Sequence, residues 1–283
     1  MPEAATLRVL VAGGADRLRE SGIAEPRREA IRIWSEVAGG SPADVALGGS
    51  EPADSVAAAL FEQSVARRSR GEPLAHVVGR SGFRRLTLVS DGRALIPRPE
   101  TEGLVDLVLK RIHRGRVLDV GTGSGCIALS LAQEGRFSEV VGVDASAQAL
   151  DLARLNRDIL GVPVTLVRGD LCLPFREGAF DALISNPPYL TSAEYMALDL
   201  SVRQWEPAAA LVGGDDGMVP TRRLLDEGRK VLRPGGWLAL ELDCSRAISA
   251  ARHARGLGWH DVAIHVDLFG RERYLLAQRS NER

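Results

Sequence analysis

The sequence predicts an α/β protein whose mostly parallel seven-stranded sheet, with one antiparallel strand, follows a small helical bundle and a β-hairpin linker. Three observations carry this. From Gly115 onward, short apolar runs alternate with helical stretches, the pattern of strands joined by helical crossovers. Those runs are unbroken in their apolar character, which suits a parallel sheet covered on both faces. From Ala4 to about Arg70 apolar residues recur at helical spacing instead.

Leu7, Leu10, Val11 and Leu18 share one helical face. A second helix runs through Ala30, Ile31, Ile33, Trp34 and Val37 and stops at Gly39-Gly40. Ser41 before Pro42 reads as an N-cap with proline at the first helical position. Another helix spans about Pro52 to Arg70 and ends at Gly71. Residues 1–72 are thus expected to form a helical domain, too small to be very stable alone. Two extended pieces, His76–Gly79 and Arg84–Val89, predict a hairpin linker over 73–94. Pro99 bars Arg98 from the α region, so the helix through Leu104, Val105, Leu107, Val108 and Leu109 starts after it. In the domain of residues 95–283, strands are expected at Arg116–Val120, Val140–Asp144, Val164–Arg168, Asp181–Ser185, Gly236–Leu242, Val262–Val266 and Arg273–Gln278. Asp267-Leu268-Phe269-Gly270 is too short for a helical crossover, so one of the last two strands runs antiparallel.

With 283 residues, 45% of them hydrophobic, the chain can bury one large core and a smaller one. It has no apolar run of about 18 residues or more, and Met1-Pro2-Glu3-Ala4-Ala5 lacks a secretory pattern. Cys126, Cys172 and Cys244 lie far apart without CxxC spacing, so neither a zinc site nor a disulfide framework is indicated. A reduced, cytoplasmic setting is expected. A net charge of −1 argues against a surface that tracks phosphates. Of 36 basic residues only Lys110 and Lys230 are lysine, and the scattered arginines are read as compositional bias.

Val117-Leu118-Asp119-Val120-Gly121-Thr122-Gly123-Ser124-Gly125 reads as a strand entering a glycine loop, with a helix through Ile127, Ala128, Leu129 and Leu131. Such a loop lets a ligand lie against bare backbone at a helix N-terminus. Cys126 stands where the dinucleotide fingerprint needs a third-position glycine. Asp144 ends the next strand, 23 residues after Gly121, where a carboxylate can accept from ribose hydroxyls. Its plain alternative is an N-cap of the following helix. Asp170, after the third strand, sits where an adenine amino group could be read, or is simply a turn residue.

Asn186-Pro187-Pro188-Tyr189 follows the strand ending at Ser185, at the carboxyl edge where open α/β sheets bind ligands. The pattern suits a planar amide or amino nitrogen as methyl acceptor. Such a nitrogen has its lone pair delocalised, and two fixed acceptors, Asn186 Oδ1 and the Pro187 carbonyl, could hold its hydrogens and turn the lone pair toward an electrophilic methyl. Pro188 has no N–H to engage that carbonyl. Tyr189 offers an aromatic wall.

On these residues the chain resembles the HemK/PrmC family of protein-(glutamine-N5) methyltransferases. The resemblance continues through Arg67…Gly71-Glu72-Pro73-Leu74, Gly79…Phe83, Leu95-Ile96-Pro97-Arg98-Pro99-Glu100-Thr101-Glu102, Trp205-Glu206-Pro207, Gly213-Gly214-Asp215-Asp216-Gly217 and Asp267-Leu268-Phe269-Gly270-Arg271-Glu272-Arg273. It departs at Leu171, where an aromatic residue is common, and at Leu242-Asp243-Cys244 after Glu241, where Gly and a nearby Gln are usual. The resemblance implies a Rossmann-like class I methyltransferase domain using S-adenosylmethionine and no metal. It implies methylation of the glutamine in the Gly-Gly-Gln motif of class 1 peptide-chain release factors by a monomer, the small domain gripping the substrate. The cofactor would be held by Gly121, Thr122, Gly123, Ser124, Gly125, Asp144, Asp170, Leu171, Asn186, Arg98 and Glu100. Catalysis would rest on Asn186, Pro187 and Tyr189, with Pro188 also against the substrate.

The rival reading is an amino-methyltransferase acting on adenine or guanine of DNA or RNA, which shares the tetrapeptide chemistry. Residues 1–85 carry 12 basic and 11 acidic side chains, a net of +1, which gives no basic groove, so direct nucleic-acid binding is not expected. A non-catalytic platform would be expected to lose the glycines, Asp144 or Asn186, and all are present.

Overall fold

The computed structural model describes residues 6–47 and 51–281; the reading of the first five residues lies outside them. The chain divides into two compact units, one within Met1–Arg80 together with Asp199–Trp205, the other within Ser81–Leu198 and Glu206–Arg283. The division falls after Arg80.

The smaller unit contains α1 (Leu7–Glu20), α2 (Pro26–Ala38), α3 (Pro42–Leu47), α4 (Ser55–Ser69) and α5 (Leu74–Val77). Its core joins Val11, Ala15, Leu18, Ile33, Phe61 and Val65, with Trp34 edge-on to Phe61 at 5.7 Å between centroids. Arg68 and Glu29 pair at 2.6 Å, both largely buried, and fasten α4 to α2. Helix α4 starts three residues later than expected because the Asp54 carboxylate caps it, accepting from Val56 and Ala57 N–H at 3.1 and 2.9 Å. His76–Gly79 was expected to be extended, and this is corrected: His76 and Val77 lie in the helical turn of α5 and are buried. Burial in the helical core outweighs the β preference of Val77-Val78.

Two adjacent glycines in α1 separate propensity from packing. Gly13 is exposed with open space at its Cβ position, so Gly13→Ala should stabilise the protein by up to about 1 kcal/mol. A Cβ on Gly14 would come within 2.5 Å of the Phe61 ring, so Gly14→Ala should destabilise it by about 1–3 kcal/mol. Urea unfolding of the two variants checks both signs.

The larger unit takes in the hairpin of β1 (Arg80–Phe83) and β2 (Leu86–Val89), then α6 (Pro99–Arg111). The sheet is built from β3 (Arg116–Val120), β4 (Glu139–Asp144), β5 (Thr165–Arg168), β6 (Phe180–Ser185), β7 (Leu232–Glu241), β8 (Trp259–Val266) and β9 (Glu272–Arg279). Its helices are α7 (Cys126–Glu134), α8 (Ala147–Leu160), α9 (Ser192–Ala197), α11 (Val219–Val231) and α12 (Ala247–Gly256), while α10 (Leu200–Trp205) belongs to the smaller unit. Strand order is β5-β4-β3-β6-β7-β9-β8, with β9 antiparallel to both its neighbours. The expected seven strands are all present. One apolar cluster packs α11 and α12 on one face of the sheet, and a second packs α6 and α7 on the other. The carboxyl ends of β3, β4, β5 and β6 therefore open on one edge, and the loops leaving them form the site.

Candidate active site

After β3 the backbone turns through Gly121–Gly125 into α7, with Gly121 and Thr122 N–H donating to Val143 O at 2.8 and 3.0 Å. Asp119 lies fully buried beneath this loop. One carboxylate oxygen accepts from the Thr122 hydroxyl at 2.7 Å and Ala128 N–H at 3.1 Å, tying strand, loop and helix together. Burial pushes its pKa up to about 7, against the pull of those two hydrogen bonds. Gly121 is left-handed (φ 71°), and a Cβ there would project into open space, so bare backbone faces the cavity.

Asp144 braces the same loop. One oxygen accepts from Gly123 N–H at 2.9 Å and the other from Ser146 N–H at 2.8 Å. Ser146, not Asp144, caps α8, accepting from Ala149 N–H at 3.2 Å. Asp170 is exposed and paired with Arg223 through both oxygens, at 3.1 and 2.9 Å. Leu171 is left-handed (φ 48°) and packs on the core cluster beneath the sheet edge.

These elements surround a cavity of about 490 Å³, within the roughly 300–1,000 Å³ typical of small-molecule sites. Gly121, Thr122, Gly123, Ser124, Asp144, Asp170, Leu171, Asn186 and Arg98 all line it. Arg93–Pro97 and an apolar wall of Ala209, Val212, Val219 and Pro220 complete it; of these the sequence marked only Leu95-Ile96-Pro97, as part of a motif and not as site residues. Four expected site residues stand outside this lining. Gly125 is the left-handed N-cap of α7. Glu100 gives its backbone carbonyl to the Tyr274 hydroxyl at 2.5 Å. Pro187 is buried, and Tyr189 lies among Glu241, Arg273, Asp243 and Arg98. Burial pushes the Tyr189 phenol up to about 12. Bare glycine backbone, a strand-end carboxylate and an apolar wall together suit a nucleoside-bearing cofactor such as S-adenosylmethionine.

Asn186 is fixed from two sides. Ser185, just before it, donates its hydroxyl to Val120 O at 2.7 Å, locking the end of β6 to that of β3. The Asn186 Nδ2 donates to Thr101 Oγ1 at 3.1 Å. Thr101 is buried in the first turn of α6; at the end of β7 burial raises the Glu241 carboxyl to about 7, against the lowering pull of the Thr101 hydroxyl.

Residues 10–79 match the PrmC N-terminal domain and residues 100–204 the methyltransferase small domain. The release factor glutamine methyltransferase of Deinococcus radiodurans is 39% identical, over 97% of this chain and 99% of that one. Its counterpart in Geobacter sulfurreducens is 38% identical over 96% of each chain. The chain belongs to the release factor glutamine methyltransferase family. A crystal structure of a methyltransferase from Pyrococcus furiosus shares the fold, with a TM-score of 0.54 at 22% identity over 68% of this chain and 88% of that one.

In this methyltransferase the tetrapeptide rests on residues 211–217. Leu190 N–H donates to Leu211 O at 2.9 Å, and Gly213 N–H donates to Leu190 O at 2.8 Å. A Cβ on Gly213 would collide with the Pro188 carbonyl oxygen and approach Gly217 O to 2.9 Å. The backbones are that close. The glycine density of Gly213-Gly214-Asp215-Asp216-Gly217 was the signal for this contact, and nothing local says what it touches. Glu206, also buried, clamps the segment before α6: it accepts from Ile96 N–H at 3.0 Å and from the Arg98 guanidinium at 2.6 Å. Asp243, at the departure from the family pattern, pairs at 3.2 Å with Arg246, which also reaches Asp216 O and Glu194. Among the described residues no helix is long and apolar enough to cross a membrane.

Proposed function

We propose that this chain transfers a methyl group from S-adenosylmethionine to the side-chain amide nitrogen (N5) of the glutamine in the Gly-Gly-Gln motif of class 1 release factors. The observation that carries the reading is Asn186: it lines the cavity while its Nδ2 is spent on Thr101, leaving Oδ1 to accept an amide hydrogen. The Pro187 carbonyl takes the second hydrogen, and the Tyr189 ring flanks the amide plane. With both hydrogens held, the amide plane is fixed so that the nitrogen lone pair, perpendicular to it, faces the methyl. Bound S-adenosylmethionine would supply that methyl on a sulfonium and leave as the neutral thioether; the nitrogen, acidic once methylated, would lose one proton to water. Positioning and electrostatic preorganisation then account for most of the acceleration. The enzyme acts as a cytoplasmic monomer on a protein substrate.

For the cofactor, Gly121–Ser124 offer backbone, and Asp170 and Leu171 flank the adenine. Asp144 spends one lone pair per oxygen on the loop, and a carboxylate has about four, so it still accepts from the ribose hydroxyls. Asp144→Ala should therefore weaken cofactor binding by a few kcal/mol at most, up to about 3 kcal/mol. Calorimetry checks it, and unchanged affinity in a folded variant would leave Asp144 a brace only.

The function is tested by incubating the chain with labelled S-adenosylmethionine and a purified release factor, its Gln→Ala variant, RNA and DNA. Label should enter the natural release factor alone. Label in RNA or DNA would favour the amino-methyltransferase reading.

A further inference from the structure

We propose that the turn between β8 and β9, through Leu268 and Phe269, is a docking point for the release factor on the catalytic edge of the sheet. The inference rests on the reading of the release factor as the methyl acceptor, and it names the part of this chain that meets that protein beyond its glutamine.

Leu268 is 94% exposed and Phe269 71%, and Val266 just before them is exposed as well. A lone exposed apolar residue is ordinary. Here a leucine and a phenylalanine are neighbours at the tip of a turn that is tied down from below. The buried Asp267 carboxylate accepts from Phe269 N–H at 2.9 Å, Arg271 N–H at 3.0 Å and Arg273 Nε at 2.8 Å. Asp267 N–H donates to Arg271 O at 2.9 Å and Gly270 N–H to Asp267 O at 3.0 Å, with Gly270 left-handed (φ 75°). Arg273 is itself buried and reaches Leu242 O, just past β7, at 3.4 Å. The polar groups of the segment thus shape the turn and fasten it to the sheet, while its two largest side chains stand in solvent. Side chains on a fixed frame lose little freedom when a partner covers them, which favours them as binding anchors.

Strand register puts the turn beside the acceptor site. Ser185, the residue before Asn186, pairs with Leu240 on β7, and Glu241, next along, pairs with Tyr274 on β9. Strand β8 follows β9 as the last of the sheet and is antiparallel to it. Neighbouring strands lie about 4.8 Å apart, so the turn stands roughly 10–15 Å to the side of the tetrapeptide, on the same edge. A stable protein–protein contact covers about 800 Å² on each partner, a patch roughly 30 Å across. A protein that seats its glutamine against Asn186 therefore covers this turn too. Leu268 and Phe269 carry no charge, so what they meet is an apolar patch flanking the Gly-Gly-Gln loop, with the exposed Arg271 and Glu272 at its polar rim.

The test is a double variant, Leu268→Ser with Phe269→Ser, both outside the core, against Ile159→Ser as control. Ile159 is 62% exposed near the end of α8, from which the chain passes to the amino end of β5 on the opposite edge of the sheet. Thermal unfolding verifies that each variant is folded. Steady-state methylation of a full-length release factor, calorimetric binding of that protein and of S-adenosylmethionine, and sedimentation are then measured on the wild type and both variants. The double variant should raise KM for the release factor by about 10–100-fold and weaken its binding as much, with kcat and cofactor affinity unchanged. Ile159→Ser should match wild type. A double variant whose KM and binding stay within about twofold of wild type would overturn the proposal. So would a wild-type dimer that the double variant dissociates, since a second copy of the chain would then occupy the turn. If the wild-type chain leaves the glutamine unmethylated, the functional reading fails, and the binding measurement decides the docking separately. Release factor held by the wild type and lost by the double variant then supports it, while equal binding by the two, or none to either, overturns it.

Discussion

Asn186→Ala should lower kcat by about 10²–10³-fold while cofactor affinity changes little, the size of loss seen on deleting one preorganised polar contact. The side chain borders the cavity, and its Nδ2 is engaged by Thr101, so its Oδ1 is the end left for a substrate. Removing it leaves the substrate amide free to rotate and its lone pair conjugated. Asn186→Asp keeps an acceptor of the same reach. It should retain more activity than alanine, yet less than wild type, because it adds a charge and loses the Nδ2–H that donates to Thr101 Oγ1. Steady-state kinetics and calorimetry on both variants check this. An alanine variant within about tenfold of wild type would remove Asn186 from the transition state.

Gly213→Ala should cost about 100-fold or more in kcat, although Gly213 is not itself among the residues placed against the substrate. The added Cβ has no room: the Pro188 carbonyl and Gly217 O are both backbone atoms and cannot swing aside as a side chain would. The tetrapeptide must move, and a shift of about 1 Å in a positioned group costs about 10²-fold. Cofactor affinity should fall far less, since Gly121–Gly123 and Asp144 are held independently by Val143 O and by each other. A Gly213→Ala enzyme with normal kcat would show that the close backbone approach is not what positions Asn186.

The strands and the glycine loop were legible because their signals are local. Apolar runs such as Val117-Leu118 and Leu183-Ile184 are wholly buried in the sheet, as continuous hydrophobicity predicts. Gly121 and Asp144 sit where strand-end chemistry puts them. What stayed hidden is what joins distant parts of the chain. Asn186 and Thr101 are 85 residues apart, and Ile96 and Glu206 are 110 apart, so no window of sequence contains either pair. Glu206 and Gly213 were visible as motif members without a mechanism. The start of the hairpin was misread for a related reason, since Val77-Val78 looks extended until the helices it packs on are known. Asp170 shows the opposite limit: its position was legible, while its bidentate pairing with Arg223, 53 residues on, was not.

The most direct test is to methylate a release factor with this enzyme, digest the product and locate the added group by tandem mass spectrometry. One methyl should lie on the side-chain amide of the Gly-Gly-Gln glutamine, and it should appear about 10²–10³-fold more slowly with Asn186→Ala. A methyl on any other residue, or one that persists undiminished in that variant, would contradict the role given to Asn186.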